Sequence, residues 1–244
     1  MIVLFTDFGW RGPYVGQMKA VLAETAPAQP VIDLLHDAPV FDPLLAAHLL
    51  AAHVDCFPAD CVFCAVVDPG VGSEREAVLL RADGRYFVGP DNGLFDVLAA
   101  RAAEVAFFRI HWRPQHLSNS FHGRDLFAPV AARLARGEPP EALATPLARD
   151  FDPALGADLA KIIYVDEFGN AMTGLRAHAL ARAEQLCVAG QRLAYARTFA
   201  EVPAGQPFWY VNSVGLVEIA VNRGSAADML GLVLGAPVSR VQAE

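Results

Sequence analysis

The sequence predicts an α/β fold: an N-terminal, mainly parallel sheet with helices on both faces, plus a smaller C-terminal β-barrel domain. Three observations predict it. In the first half, short apolar runs alternate with helix-like stretches, the pattern of a parallel sheet covered by helices. Gly137-Glu138-Pro139-Pro140 ends that alternation, and 145–156 is turn-rich and aperiodic, as in a linker. Beyond it, short apolar runs are punctuated by Gly190, Gly205, Gly215, Gly224 and Gly235, as in a small barrel. The expected domains are residues 1–150 and 157–244.

Each element has its own local reason. Residues 2–5 are apolar throughout and read as a strand, and 30–35 as a second. Between them 14–26 reads as a helix, with Val15, Met18, Val21 and Leu22 on one stripe. Residues 43–54 are Ala/Leu-rich and helical. Strands follow at 62–67, 77–81 and 86–89, then a helix at 94–101, a strand at 105–110 and a helix at 125–136. In the second domain the strands read as 161–165, 185–188, 191–195, 207–211, 216–220 and 237–240.

Composition bounds the function. The chain has 244 residues and is 54% hydrophobic, enough for real cores, and only 19% charged. The net charge of -8 and the absence of a basic cluster argue against a nucleic-acid partner, which needs Lys and Arg on one face. No run reaches the roughly 18 apolar residues of a membrane span. The N-terminus lacks a basic region and a small-residue cleavage site, so a cytoplasmic protein is expected. Cys61 and Cys64 have metal-ligand spacing, but on an apolar strand residues three apart face opposite ways, so both read as buried structural thiols. His48 and His53 are five apart and do not share a helix face.

Three acidic turns follow predicted strands: Thr6-Asp7-Phe8-Gly9, Asp68-Pro69-Gly70-Val71-Gly72 and Pro90-Asp91-Asn92-Gly93. The carboxyl ends of parallel strands line a ligand crevice, so Asp7, Asp68 and Asp91 could gather around one pocket. A carboxylate there can hold a ribose diol; equally, each Asp can simply close its turn. Arg75 lies seven residues after Asp68 and can fold back to pair with it. His122, in Ser120-Phe121-His122-Gly123-Arg124-Asp125, sits in a polar turn before a helix, a setting for a titrating group, and Asp125 reads as that helix's N-cap. In the second domain Asp166-Glu167-Phe168-Gly169-Asn170 and Asn212-Ser213-Val214-Gly215 follow strands and offer polar groups for a base or an amino-acid head group. The dinucleotide, P-loop and nucleophile-elbow fingerprints are absent.

These motifs, with Tyr14-Val15-Gly16-Gln17-Met18-Lys19 and Glu218, run in one order along nearly the whole chain, and in that order the chain resembles the SAM hydroxide adenosyltransferase family of S-adenosyl-L-methionine (SAM) hydrolases, related to the nucleoside fluorinases and chlorinases. The resemblance implies hydrolysis of SAM to adenosine and L-methionine, with SAM as substrate and no cofactor or metal. It implies a homotrimer with sites between the N-terminal domain of one copy and the C-terminal domain of the next. Asp68, Arg75 and His122 would handle the water. Asp7 and Phe8 would bind the nucleoside from the first domain, and Asp166, Asn170, Ser213, Glu218, Val221 and Arg223 would contact the substrate from the second. The halogenases carry Tyr at the position of His122, and the fluorinases carry Ser at that of Gly123 and a longer loop before it; all three differences favour water over halide. Val214 stands where fluorinases have Arg, so the methionine carboxylate would be held differently. Two other readings are a non-catalytic adenosine or SAM binder and a metal-dependent phosphohydrolase using Asp7, Asp68 and Asp91.

Overall fold

The computed structural model describes residues 1–241; the last three positions of the expected second domain lie outside the described residues. The chain forms two compact units, Met1–Gly156 and Ala157–Glu244.

The first unit holds β1 (Ile2–Thr6), α1 (Tyr14–Thr25), β2 (Val31–Leu35), α2 (Pro43–His53), β3 (Val62–Val66), β4 (Ala77–Ala82), β5 (Arg85–Pro90), α3 (Asp96–Arg101), β6 (Val105–Ile110), α4 (Ala128–Ala135) and β7 (Ala144–Pro146). The strands make one sheet in the order β2-β1-β3-β5-β4-β6-β7. Five run one way; β4 and β7 oppose them. β1 and β3 are buried on both faces, which is why they read as unbroken apolar runs. On one face Ile2, Leu4, Cys64 and Val88 pack with Met18 and Leu22 of α1 and Val130 and Leu134 of α4. On the other, Phe63 stacks on Phe87, which meets Phe95 at the start of α3, beside α2.

The expected helix 125–136 differs from the structure. Gly123–Phe127 is a π-helical turn and α4 begins only at Ala128. Pro129 explains this. It lacks an N–H and its ring would strike the carbonyl four residues back, so the preceding turn widens and Ala128 N–H bonds Gly123 C=O instead. Asp125 therefore lies inside the turn and caps nothing.

The second unit holds β8 (Leu159–Val165), β9 (Ala171–Arg176), β10 (Gln185–Val188), β11 (Gln191–Leu193), β12 (Pro207–Val211), β13 (Leu216–Val221), α5 (Ala226–Leu230) and β14 (Ser239–Val241). Two antiparallel sheets, β12-β13-β9-β8 and β11-β10-β14, are joined at both edges by single bridges, Tyr195 with Trp209 and Lys161 with Pro237. The ring so formed encloses Leu186, Trp209, Val217 and Ile219. Among the described residues no helix is long and apolar enough to cross a membrane.

Candidate active site

β1 and β3 are parallel neighbours with Thr6 opposite Val66, so the turns after them emerge side by side at the carboxyl edge of the sheet. They open onto a cavity of about 340 Å³ whose lining includes Asp7, Phe8, Asp68, Phe121, His122 and Gly123. Asp7 accepts the Phe41 backbone N–H at 3.2 Å. Burial pushes its carboxyl above the ordinary range, partly offset by that hydrogen bond, with the nearby Asp68 charge adding to the rise.

Arg75 stands behind Asp68. Its Nε donates to Asp68 Oδ1 at 2.9 Å and its Nη2 donates to Oδ2, a two-point pair with side chains only 10% and 4% exposed. This is not a surface ion pair. The same Nη2 lies 3.1 Å from His122 Nδ1, Nη1 donates to the Glu76 carbonyl, and the guanidinium lies over the Phe127 ring. Burial, then the Arg75 charge, push His122 below its ordinary range, against Asp68. The ring is thereby neutral near pH 7. Its Nδ1 accepts from Arg75, so its proton sits on Nε2.

Three local devices hold His122 there. Asp125 accepts the Ser118 N–H at 2.9 Å and pairs with Arg124, which donates to Gln17 of α1 at 2.7 Å. Gly72, at φ +81°, lies against the Asn119 carbonyl, so closely that a Cβ would come within 2.5 Å of it. The loop carrying Asp68 and Arg75 can thus touch the loop carrying His122. Phe121 meets Phe8 and Tyr14 edge to face, and Phe8 and Tyr14 pack at a tilt beside it, around the cavity.

Asp91 is not in this cavity. Arg149 bridges it, at 2.9 Å, to Asp96. The expected gathering of Asp7, Asp68 and Asp91 therefore does not form, because a cation from a distant segment draws the third carboxylate away. Asn92 instead ties its turn to β3 by donating to the Val67 carbonyl. Among the described residues no three His, Cys, Asp or Glu side chains gather as a metal site. Cys61 and Cys64 are free and buried, and burial pushes the Cys64 thiol up to about 12.

In the second unit, Asp166, Asn170, Ser213, Glu218, Val221 and Arg223 line one open cavity of about 820 Å³. Asp166 closes its turn by accepting the N–H groups of Phe168 and Asn170 and the Asn170 side-chain amide. Gly169, at φ +81°, packs on Ser225, where a Cβ would collide. Glu218 is 2% exposed; Tyr210 donates to one oxygen and Asn212, at 2.8 Å, to the other. Burial foremost pushes its carboxyl up. Asn212 Oδ1 also accepts the N–H groups of Val214 and Leu216, fixing the turn that carries Ser213. Arg223 is held at φ +57°, in a turn closed by Gly224 N–H to Val221 C=O.

Sequence reasoning missed Tyr14, Phe41 and Phe121 in the first cavity and Met172, Phe199 and Tyr210 in the second. Tyr14 and Phe121 stand in motifs that carry the resemblance, and Tyr210 had a local signal: two strands joined by a short turn place it directly across from Glu218.

Residues 2–144 match the model of the SAM hydroxide adenosyltransferase N-terminal domain, and residues 160–239 that of its C-terminal domain. A Thermus thermophilus protein named (R)-S-adenosyl-L-methionine hydrolase is 42% identical, over 97% of this chain and 98% of its own. One of the same name from Salinispora arenicola is 41% identical over 94% and 93%. A fluorinase of Nocardia brasiliensis is 24% identical over 72% and 71%. A Thermotoga maritima crystal structure, described as an uncharacterized conserved protein, superposes with a TM-score of 0.89 at 31% identity, covering 99% of this chain and all of its own. With both domain models matched in order and full-length relatives above 40% identity, the chain belongs to the SAM hydroxide adenosyltransferase family.

Proposed function

We propose that this protein is an enzyme that hydrolyses SAM to adenosine and L-methionine, by attack of water on the ribose C5′ carbon. The observation that carries the reading is the continuous bonded set Asp68–Arg75–His122 at the wall of a small cavity. The sulfonium leaves as neutral methionine, so no acid is needed at the leaving group. Water, with a pKa of about 15.7, is the difficult partner. Asp68 offers acceptor lone pairs and His122 offers an N–H at Nε2. One water held between them points a lone pair at C5′, and its proton passes to Asp68 as the C–O bond forms and the C–S bond breaks. Arg75 supplies no proton; it fixes both neighbours. Asp7 and Phe8 bind the nucleoside, and Asp166, Asn170, Ser213, Glu218 and the backbone near Val221 and Arg223 bind the substrate from the second unit's cavity. The two cavities meet between neighbouring copies in a homotrimer, and the protein works in the cytoplasm without metal or cofactor.

The test is incubation of the pure protein with SAM and chromatography of the products, with and without chloride and after dialysis against a chelator. Adenosine and methionine in equal amounts in every arm are expected. A 5′-chloro nucleoside would move the reading to halide transfer, chelator-sensitive turnover would bring in a metal, and adenosine binding without turnover would leave a binding protein. His122→Ala and Asp68→Ala should each cut turnover with folding kept; unchanged rates in both remove them from the chemistry. Light scattering tests the trimer.

A further inference from the structure

We infer that Thr6 and His36 are positioning residues: a relay running inward from Lys19 through Asp33, His36 and Thr6 to the Phe8 backbone sets the Asp7–Phe8 turn, and with it the grip on the nucleoside rather than the attack of water. This rests on the reading of Asp7 as a nucleoside-binding group.

Thr6 ends β1 and His36 follows β2; both are fully buried. Thr6 Oγ1 lies 2.8 Å from His36 Nδ1, and His36 Nε2 lies 3.2 Å from Asp33 Oδ1. Lys19 donates to the other Asp33 oxygen at 2.8 Å. Burial pushes the Asp33 carboxyl up, but Lys19 and His36 together outweigh it and hold the group below its ordinary range. An ionised Asp33 only accepts, so a His36 proton faces it from Nε2, and the tautomer that carries its proton there leaves Nδ1 to accept the Thr6 hydroxyl proton. The Thr6 oxygen is then left to accept the Phe8 N–H, at 3.3 Å. Two backbone bonds run beside this relay: Gly9 N–H to His36 C=O at 2.6 Å and Ala38 N–H to Thr6 C=O at 3.1 Å. The Trp10 ring meets the imidazole edge to face at 4.7 Å.

A buried polar side chain is unfavourable unless every bond is made, and an apolar residue would fill the site without that demand. What the polar pair adds is a fixed direction for the turn. Lys19, Asp33, His36 and Thr6 do not line the cavity, so the relay acts only through Phe8 and Asp7. None of its side chains bonds Asp68, Arg75 or His122. The water side of the site should be indifferent to it.

The experiment compares wild type, Thr6→Val, Thr6→Ser and Asp7→Ala in the full chain, reading kcat and KM for SAM and the Kd for adenosine. Thr6→Val keeps the shape and removes the hydroxyl; KM and Kd should rise about tenfold with kcat within threefold of wild type. Thr6→Ser restores the hydroxyl and should return both to within threefold. Lys19→Met, at the exposed end, keeps the test alive if Thr6→Val does not fold; it should raise KM severalfold at unchanged kcat. A fall in kcat at constant KM in either variant, or no rescue by Ser, overturns the relay. A wild-type Kd in Asp7→Ala sinks the underlying reading and this inference with it. Weakened binding in Asp7→Ala with wild-type values in Thr6→Val sinks the inference alone.

Discussion

Replacing Arg75 with Met should disable the proposed water site and destabilise the first unit together. The guanidinium makes two bonds to Asp68, one to the Glu76 carbonyl and one to His122, with its carbon 5.2 Å from the Phe127 ring centroid. Met keeps the apolar stem and loses all four. Asp68, 4% exposed, is left as an uncompensated buried charge. Breaking a buried pair in this way costs about 3–5 kcal/mol, and the lower figure is expected here because Met still packs on Phe127. Asp68→Asn should cost about 2–3 kcal/mol, since its amide must face one of two donor nitrogens. The double variant removes both problems together, so its loss should fall short of the sum by about 2 kcal/mol. Turnover should drop by about 100-fold or more in each single variant, and the double should be no slower than the worse single, because the groups act as one unit. The assay is a double-mutant cycle by urea unfolding beside initial rates of adenosine release. Stability losses that add to within about 0.5 kcal/mol would refute the coupling, and the positioning argument with it.

The neutral His122 ring is the one that accepts from Arg75, so activity should be lost as pH falls. Because burial and Arg75 lower its value, the acid limb should lie below the ordinary histidine value of about 6.5, and in Arg75→Met it should move upward; a wild-type limb above that value would contradict the geometry. Gly72→Ala should destabilise by at least about 2 kcal/mol in thermal unfolding, from left-handed backbone strain plus contact with the Asn119 carbonyl, and should lower turnover by parting the two loops. For Glu218 the sign runs the other way from an ordinary paired carboxylate. Its folded value is raised, so its contribution is present below the unfolded value of about 4.3 and lost as pH rises through the folded one. Glu218→Gln escapes that loss, since Tyr210 can accept from the new amide while Asn212 still donates, so its stability relative to wild type should grow from pH 4 to 7.

The fold was legible where periodicity alone decides it. β1 and β3, buried on both faces, could hardly be read otherwise. The antiparallel β4–β5 pairing was not read from the sequence, although Asp83-Gly84 is a turn signal; in the structure both residues have positive φ. The candidate cavity of the first unit was legible because its turns follow adjacent parallel strands, and Asp68 and Arg75 lie close in sequence. Asp91 satisfied the same rule and went elsewhere, because nothing local announces Arg149. Nothing in the residues around His36 singles it out in the sequence. Its role depends on β2 lying beside β1, with Phe5 opposite Leu35, and strand order is not a local property.

What the first cavity admits is set as much by exclusion as by its polar groups. A Cβ on Gly123 would come 3.1 Å from the Phe8 ring and 3.3 Å from Phe121. Phe8 has little room to yield, because Phe121 and Tyr14 brace its ring and Thr6 anchors its N–H. Any side chain at 123 therefore presses on the turn that carries Asp7. In the proposed site, a side chain at 123 would disturb the hold on the nucleoside as well as the space beside His122, whereas glycine leaves the two independent. A hydroxyl introduced at 123 to receive a halide, as the resemblance to fluorinases suggests, would loosen the nucleoside while displacing the water, unless Phe8 changed with it. On the proposed reading, glycine at this position favours water by a packing constraint that is separate from any difference in nucleophile strength.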